Sequence, residues 1–231
     1  MRFGDRSAAG RALAPKVARL VAGGAPVVVL GLPRGGVPVA AEVARALGAP
    51  LDVLLVRKLG VPGHEELAFG ALASGGVQVL NAEVVALVGL TGAQMEDVVR
   101  RETDELQRRE HRYRDGRPPV PVAGRTVVVV DDGLATGATM RAAVRALRDR
   151  RAARIVVAVP VGSAPGCQAV EEDADALICC ICPRRFHAVG TWYENFAAVS
   201  DATVAELLAD HPPTPGDPWS RTEPPPPTHE M

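Results

Sequence analysis

Five short apolar runs punctuate the chain, at 25–30 (APVVVL), 52–56 (DVLLV), 126–130 (TVVVV), 155–159 (IVVAV) and 176–181 (ALICCI). They are rich in β-branched residues and apolar on both faces. Parallel strands covered by helices on both sides have this pattern. Between them lie stretches of helical periodicity at 37–47, 137–149 and 164–172. The segments 6–22, with Pro15 as a local blemish, and 202–209 are also expected to be helical. The alternation predicts an α/β fold: a doubly wound, mostly parallel five-stranded sheet with right-handed crossovers.

Two segments break the rhythm. Residues 81–117 lie between the second and third core runs and read as a helical insertion. From Glu96 to Arg117 it carries seven Arg against seven Asp or Glu. Pairs at i, i+4 (Asp97/Arg101, Asp104/Arg108, Glu105/Arg109, Glu110/Arg114) suit a solvated helix, and the acids cancel the field a nucleic acid would need. Residues 211–231 hold eight of the chain's 20 prolines. Proline removes backbone donors, so this tail is expected to be disordered, leaving 1–210 as the folded domain.

Composition narrows the class. The 231 residues are 47% hydrophobic and 23% charged, with a formal net charge of −1. That balance suits a globular core and argues against a dedicated binder of nucleic acid or anionic membrane. The longest uncharged stretches, 67–82 and 155–170, are 16 residues long and broken by Gly or Pro. A transmembrane helix needs roughly 18 or more apolar residues. The first twenty residues have scattered charges and no apolar h-region, so no secretory signal is expected. Four cysteines, three of them at 179, 180 and 182, form no disulfide framework. Neighbours on a strand face opposite ways, so these three read as small buried hydrophobes and not as a metal cluster. Cys167 reads as a lone thiol. A cytoplasmic protein is expected. Of its 26 basic residues only Lys16 and Lys58 are lysines, so a mechanism requiring lysine has two candidates.

In an open parallel sheet, ligands bind at the carboxyl ends of strands. The run 126–130 is followed by Asp131, Asp132, Gly133, Leu134, Ala135, Thr136, Gly137, Ala138, Thr139 and Met140, opening a helix. Small residues at a helix N-terminus leave backbone N–H groups open to an anion, and Thr136 and Thr139 add hydroxyls. Two carboxylates beside an anion site repel it unless they face hydroxyls or a cation. A ribose 5-phosphate satisfies both: phosphate on 135–139, ribose hydroxyls on Asp131 and Asp132. This string closely resembles the phosphoribosyl-diphosphate (PRPP) signature of type I phosphoribosyltransferases. It is neither a Walker A loop nor a Rossmann turn.

Three further loops match that family in order. After 25–30, the sequence Gly31-Leu32-Pro33-Arg34-Gly35-Gly36 resembles its diphosphate-binding loop; Arg34 supplies charge, and Gly35 and Gly36 permit close backbone approach. The resemblance implies a non-proline cis peptide there, at Arg34–Gly35. After 52–56, Arg57-Lys58-Leu59-Gly60-Val61-Pro62-Gly63-His64-Glu65-Glu66 resembles the root of the mobile catalytic loop in adenine-type members. It implies catalytic roles for Arg57, Lys58, Glu65 and Glu66. His64-Glu65 does not make a zinc-protease H-E-x-x-H, because residue 68 is Ala; His64 reads as a solvated loop residue. After 176–181, residues 183–196 resemble the base-binding end segment, an aromatic hood. Phe186, Trp192, Tyr193 and Phe196 place four of the chain's eight aromatics within eleven residues. Phe186, Val189 and Trp192 are the expected base contacts, with the remaining aromatics packed as a core under helix 202–209.

The resemblance implies transfer of 5-phosphoribosyl from PRPP to a nitrogen nucleophile, expected to be a nucleobase. It also implies Mg²⁺ held through PRPP and possible contacts from Asp131 and Asp132, and a homodimer. A non-catalytic PRPP-binding regulator of the same fold is the alternative. Two departures count against a 6-oxopurine acceptor: Ala135 stands where those enzymes carry an acid, and no lysine follows Lys58. The string V-V-V-V-D-D also resembles the first strand of a response-regulator receiver. Such a domain would run into the proline tail and lack its later lysine.

Overall fold

A computed structural model describes residues 2–211. The proline-rich tail expected to be disordered thus lies outside the described residues, apart from His211. In chain order the elements are α1 (Arg6–Val21), β1 (Val27–Gly31), α2 (Gly36–Leu47), β2 (Leu51–Val53), β3 (Val56–Val61), β4 (His64–Ala73), β5 (Val77–Leu80), α3 (Ala82–Val88), α4 (Gly92–Arg114), β6 (Thr126–Val130), α5 (Ala138–Asp149), β7 (Arg154–Val161), α6 (Ala164–Glu171), β8 (Ala176–Ile181), a 3-10 turn (Val189–Trp192) and α7 (Asp201–Ala209).

The main sheet has five parallel strands in the order β2-β1-β6-β7-β8. Alternate residues serve opposite faces. Val128, Val130 and Val156 pack with Leu13 and Val17 of α1 and Val37 and Val43 of α2. Val127, Val129 and Val157 pack with Met140, Val144 and Leu147 of α5 and Val170 of α6. Strands apolar on both sides therefore fill two layers of core, as the sequence pattern requires. Cys179 packs into one layer and Cys180 into the other. No helix among the described residues is long and apolar enough to cross a membrane.

Strand order locates the crevice. The chain moves outward from β1 in both directions, so the order reverses between β1 and β6. That reversal is where open α/β sheets bind ligands. Gly31 pairs with Val130 in register, and the N–H of Leu32 donates to the carbonyl of Val130 at 2.9 Å. The loops leaving these two strands therefore start side by side. They are the loops beginning Pro33-Arg34-Gly35-Gly36 and Asp131-Asp132.

Four expectations need correction. The run 52–56 is not one strand: it ends at Val53, crosses Leu54 and Leu55, and re-enters a second sheet at Val56. The segment expected as a mobile loop is an antiparallel three-stranded sheet, β3-β4-β5, turned at Pro62-Gly63 and Gly75-Gly76. The insertion 81–117 is two helices, and α4 is not solvated all round. It buries Val98, Leu106, Tyr113 and Arg114. Thr91 and Gln94 form a capping box at its start. Its far end is fixed by Arg114, buried with Asp52 at 2.8 Å, and Asp52 also accepts from the Val120 N–H at 2.9 Å. Of the expected ion pairs, Glu105/Arg109 and Glu110/Arg114 form; Asp97 instead pairs with Arg100, and Arg108 with Glu105. The aromatic cluster lies under the start of α1, with Phe3 and Ala9, and not under α7.

Candidate active site

Asp131 and Asp132 leave the end of β6 with their carboxyls in a crowded, dry corner. Burial raises Asp131 well above the usual carboxylate range, and the neighbouring Asp132 pushes it the same way. Burial also raises Asp132, against the pull of Arg6. The Asp132 N–H donates to Asp131 Oδ1 at 2.8 Å. The glycine loop after β1 packs directly on this pair. A Cβ on Gly35 would lie 2.0 Å from Asp132 Oδ2, and one on Gly36 would lie 2.6 Å from the Val130 carbonyl and 3.0 Å from Asp131 Oδ1. Only glycines admit that approach. Two motifs about a hundred residues apart thus form one surface. The cis peptide of this loop precedes Arg34, at Pro33–Arg34, and not the expected Arg34–Gly35 bond.

The loop Gly133–Gly137 runs on to α5. Gly137 has φ +79°, a left-handed conformation that favours glycine, and offers no side chain to cap the helix. Among the described residues the Ala138 N–H, the first of α5, reaches only the Thr136 hydroxyl, a long contact at 3.4 Å, and the helix opens beside the exposed Ala135, Thr136, Ala138 and Thr139. The loop is pinned from behind. Ser163 Oγ donates to the Ala135 carbonyl at 2.5 Å, and the Ser163 N–H donates to that of Leu134 at 2.8 Å. Ser163 is a support that the sequence reading missed.

The end segment closes over the acids. Val189 packs on Gly133, where a Cβ would lie 2.4 Å from it. The Tyr193 hydroxyl donates to the Asp132 carbonyl at 2.5 Å, and burial holds this phenol above its usual range. The Phe196 ring lies 5.0 Å from that of Tyr193. Arg6 completes the corner. Its Nε donates to Asp132 Oδ2 at 2.8 Å, and its guanidinium lies 3.9 Å over the Phe196 ring. Phe186 and Trp192 are half-buried beside Phe3 and Val161, and the buried Trp192 Nε1 has no hydrogen-bond partner among the described residues. Phe196, 38% exposed, is thus the aromatic that touches the acid pair's partner. The sequence reading favoured Trp192 and omitted Arg6.

Lys58, exposed on β3, shares a cleft of about 700 Å³ with Ala138 and Thr139. The hairpin and the anion loop therefore face each other. Arg57 points the other way, as adjacent strand residues do, and pairs with Glu102 of α4 at 2.6 Å. Glu65 and Glu66 are exposed near the hairpin tip, with Glu65 accepting from the Gly63 N–H at 3.3 Å. The Arg34 side chain turns away from the acid pair into a polar cavity of about 180 Å³, 3.9 Å from Asp201. Arg112 is the main reason Asp201 is held below its usual range, with help from Tyr113. Among the described residues no group of three or more His, Cys, Asp or Glu is arranged to hold a metal. Burial pushes the Cys167 thiol up to about 12, which suits no nucleophile.

Comparison with known proteins agrees with this geometry. Two Mycobacterium tuberculosis proteins, from strains CDC 1551 and H37Rv, are 52% identical to the chain over 206 residues, 89% of its length. Their names assign them provisionally as phosphoribosyl transferases. The chain spans about half of these relatives, 46% of each. The crystal structure of TT1426 from Thermus thermophilus is 44% identical, with a TM-score of 0.81, covering 91% of this chain and 99% of that one. The model of the phosphoribosyl transferase domain family matches residues 5–195. The chain belongs to the phosphoribosyl transferase domain family.

Proposed function

We propose that this chain transfers the 5-phosphoribosyl group of PRPP to a nitrogen nucleophile of nucleobase type, releasing diphosphate. One observation carries the reading: at the switch point of the sheet, a helix N-terminus whose cap residue is a glycine, two half-buried carboxylates and the closely packed glycines 35 and 36 form one continuous surface. The 5-phosphate belongs on the N–H groups of 135–139. The ribose 2- and 3-hydroxyls belong on Asp131 and Asp132, which accept most strongly when ionised. The diphosphate lies along Arg34, Gly35 and Gly36, where backbone can approach it.

In the reaction the bond from C1 of the ribose to the diphosphate oxygen breaks, and a C1–N bond forms on the opposite face. The leaving oxygen takes the electron pair; the acceptor nitrogen gives up its proton. Positive charge builds on the ribose in the transition state, as in other glycosyl transfers. The chain's part is to orient the sugar, stabilise the departing diphosphate with Lys58, and shield C1 from water beneath the β3–β4 hairpin. In this reading Glu65 or Glu66, exposed near the hairpin tip, takes the acceptor's proton, and Phe186, Val189 and Trp192 supply the wall against which a flat base packs.

Mg²⁺ fits this donor set. Of the two adjacent carboxylates only Asp132 is paired with an arginine among the described residues, so when both ionise they carry excess negative charge. A hard cation held by one or two carboxylates and substrate oxygens is the usual Mg²⁺ arrangement. Asp131 and Asp132 would hold it through PRPP, where it would neutralise diphosphate and ribose oxygens.

The test is diphosphate release from PRPP and Mg²⁺ against a panel of nucleobases. Release that depends on one base supports transfer. Tight PRPP binding with no release for any base overturns the catalytic reading in favour of a regulator.

A further inference from the structure

One residue of the next loop holds the chain that leaves β6. Ser163 is the N-cap of α6, with φ −71° and ψ 148°, and its Oγ accepts from the Gly166 N–H at 3.0 Å. The same hydroxyl donates to the Ala135 carbonyl at 2.5 Å, and the Ser163 N–H donates to the Leu134 carbonyl at 2.8 Å. Leu134 is also tied to the end of β7, its N–H donating to the Val161 carbonyl at 2.9 Å. Two successive carbonyls thus turn towards one residue. The first turn of α6 leaves them little room to swing. A Cβ on Gly166 would lie 2.2 Å from the Ala135 carbonyl oxygen, and one on Gly137 would lie 3.0 Å from that of Gly166.

In a trans peptide the carbonyl and the N–H that follows it point opposite ways. Among the described residues the one cis bond is Pro33–Arg34, so both peptides here are trans. Anchoring the carbonyls of Leu134 and Ala135 therefore aims the N–H groups of Ala135 and Thr136 away from Ser163, and both residues are exposed. Among the described residues neither N–H donates to another backbone group. Successive N–H groups turned to one side form a concave receptor for an anion.

We propose that Ser163 is a positioning residue for the 5-phosphate: by holding the carbonyls of Leu134 and Ala135 it turns the N–H groups of Ala135 and Thr136 onto that phosphate. The inference rests on the phosphoribosyl-transfer reading for the identity of the ligand. Ser163 itself touches no substrate. Its hydroxyl has two separable tasks, accepting from Gly166 to cap α6 and donating to Ala135 to hold the loop. Glycine caps a helix nearly as well as serine but has no hydroxyl, so Ser163→Gly removes the donor and spares the helix start. Threonine keeps both tasks, and the extended backbone at 163 admits it.

The test compares Ser163→Gly and Ser163→Thr with wild type by calorimetry against three ligands: PRPP with Mg²⁺, ribose 5-phosphate, and diphosphate with Mg²⁺. In Ser163→Gly the affinities for PRPP and ribose 5-phosphate should fall about tenfold, the worth of one hydrogen bond to a charged group. Diphosphate affinity should not change, and Ser163→Thr should bind all three ligands as wild type does. A merely structural role would weaken all three together, and that result overturns the proposal. So does wild-type affinity for ribose 5-phosphate in Ser163→Gly, or a loss in Ser163→Thr equal to that in Ser163→Gly. Should Ser163→Gly not fold, amide NMR of the wild type decides. Ribose 5-phosphate or inorganic phosphate should shift the N–H signals of Ala135 and Thr136, and unmoved signals there overturn the proposal. Wild type whose Ala135 and Thr136 amides respond to phosphate but which binds no PRPP refutes the transfer reading and leaves the role of Ser163 standing.

Discussion

Gly35→Ala isolates the contact that joins the two loops. Gly35 has φ −64° and ψ −34°, a conformation open to any residue, so alanine adds no backbone strain. What it adds is a methyl 2.0 Å from Asp132 Oδ2 and 2.7 Å from its Cγ, with Arg6 Nε at 3.3 Å. An ordinary contact needs about 3.4 Å or more, so the carboxylate must move by over an ångström. The neighbouring Gly36 loop, Val130 carbonyl and Tyr193 hydroxyl leave little room, and the move breaks the Arg6 pair. Overpacking of this kind costs about 1–3 kcal/mol, or roughly 2–10 °C of melting temperature for a domain of this size. PRPP affinity should fall by about tenfold or more, because the displaced acid no longer presents to the sugar. The control is Gly92→Ala at the start of α4, where nothing lies within 4 Å of the new methyl; it should be neutral or slightly stabilising. Thermal melts and calorimetry with PRPP check both. Wild-type stability and affinity in Gly35→Ala would refute the packing of the glycine loop on the acid pair.

Three further outcomes are expected. Lys58→Ala should cut turnover by about 10- to 1000-fold while changing PRPP affinity less, because its charge acts mainly on the departing diphosphate; steady-state kinetics with Lys16→Ala as control check this, and full activity removes Lys58 from the mechanism. Asp131 carries a native pKa above its unfolded value, so the native state holds the extra proton and stability falls as pH rises from the unfolded pKa through the native one. Asp131→Asn should therefore raise the melting temperature at neutral pH while weakening PRPP binding, and a lowered melting temperature there would contradict the burial argument. Asp52→Ala takes from the buried Arg114 its buried carboxylate, leaving Glu110 and the Val53 carbonyl, and should cost about 3 kcal/mol in urea unfolding. Adding Arg114→Met should recover much of the loss, whereas a single-mutant cost below about 1 kcal/mol would show that the pair is not structural.

The five-stranded sheet was legible because buried parallel strands write themselves as uninterrupted apolar runs. Thr126–Val130 and Ala176–Ile181 appear with the bounds read from sequence. The same signal misled at 52–56. One apolar run crosses from the end of one sheet to the start of another, with Leu54 and Leu55 buried at the seam. The hairpins beyond carried turn signals at Pro62-Gly63 and Gly75-Gly76, which a family resemblance to a mobile loop overrode. In α4 the buried stripe of Val98, Leu106 and Tyr113 is diluted by charges, so the helix reads as solvated. That the acids, the loop 133–137 and the glycine loop meet at one strand end was readable because the signal is local: small residues and carboxylates after apolar runs. Arg6 was not. Its partners Asp132 and Ala197 lie 126 and 191 residues away, and among 24 arginines nothing local marks it. The different exposures of Trp192 and Phe196 were not readable, because sequence gives aromatic clusters no inside or outside.

The most direct test of the crevice is calorimetry of PRPP and Mg²⁺ binding to wild-type protein, Asp131→Asn and Asp132→Asn at pH 8. A donor site built on the acid pair predicts saturable one-site binding to wild type and a loss of about 10- to 100-fold in each variant, the worth of roughly 1.5–3 kcal/mol per charged hydrogen bond. Equal affinity in all three proteins, or no binding to wild type, would contradict it.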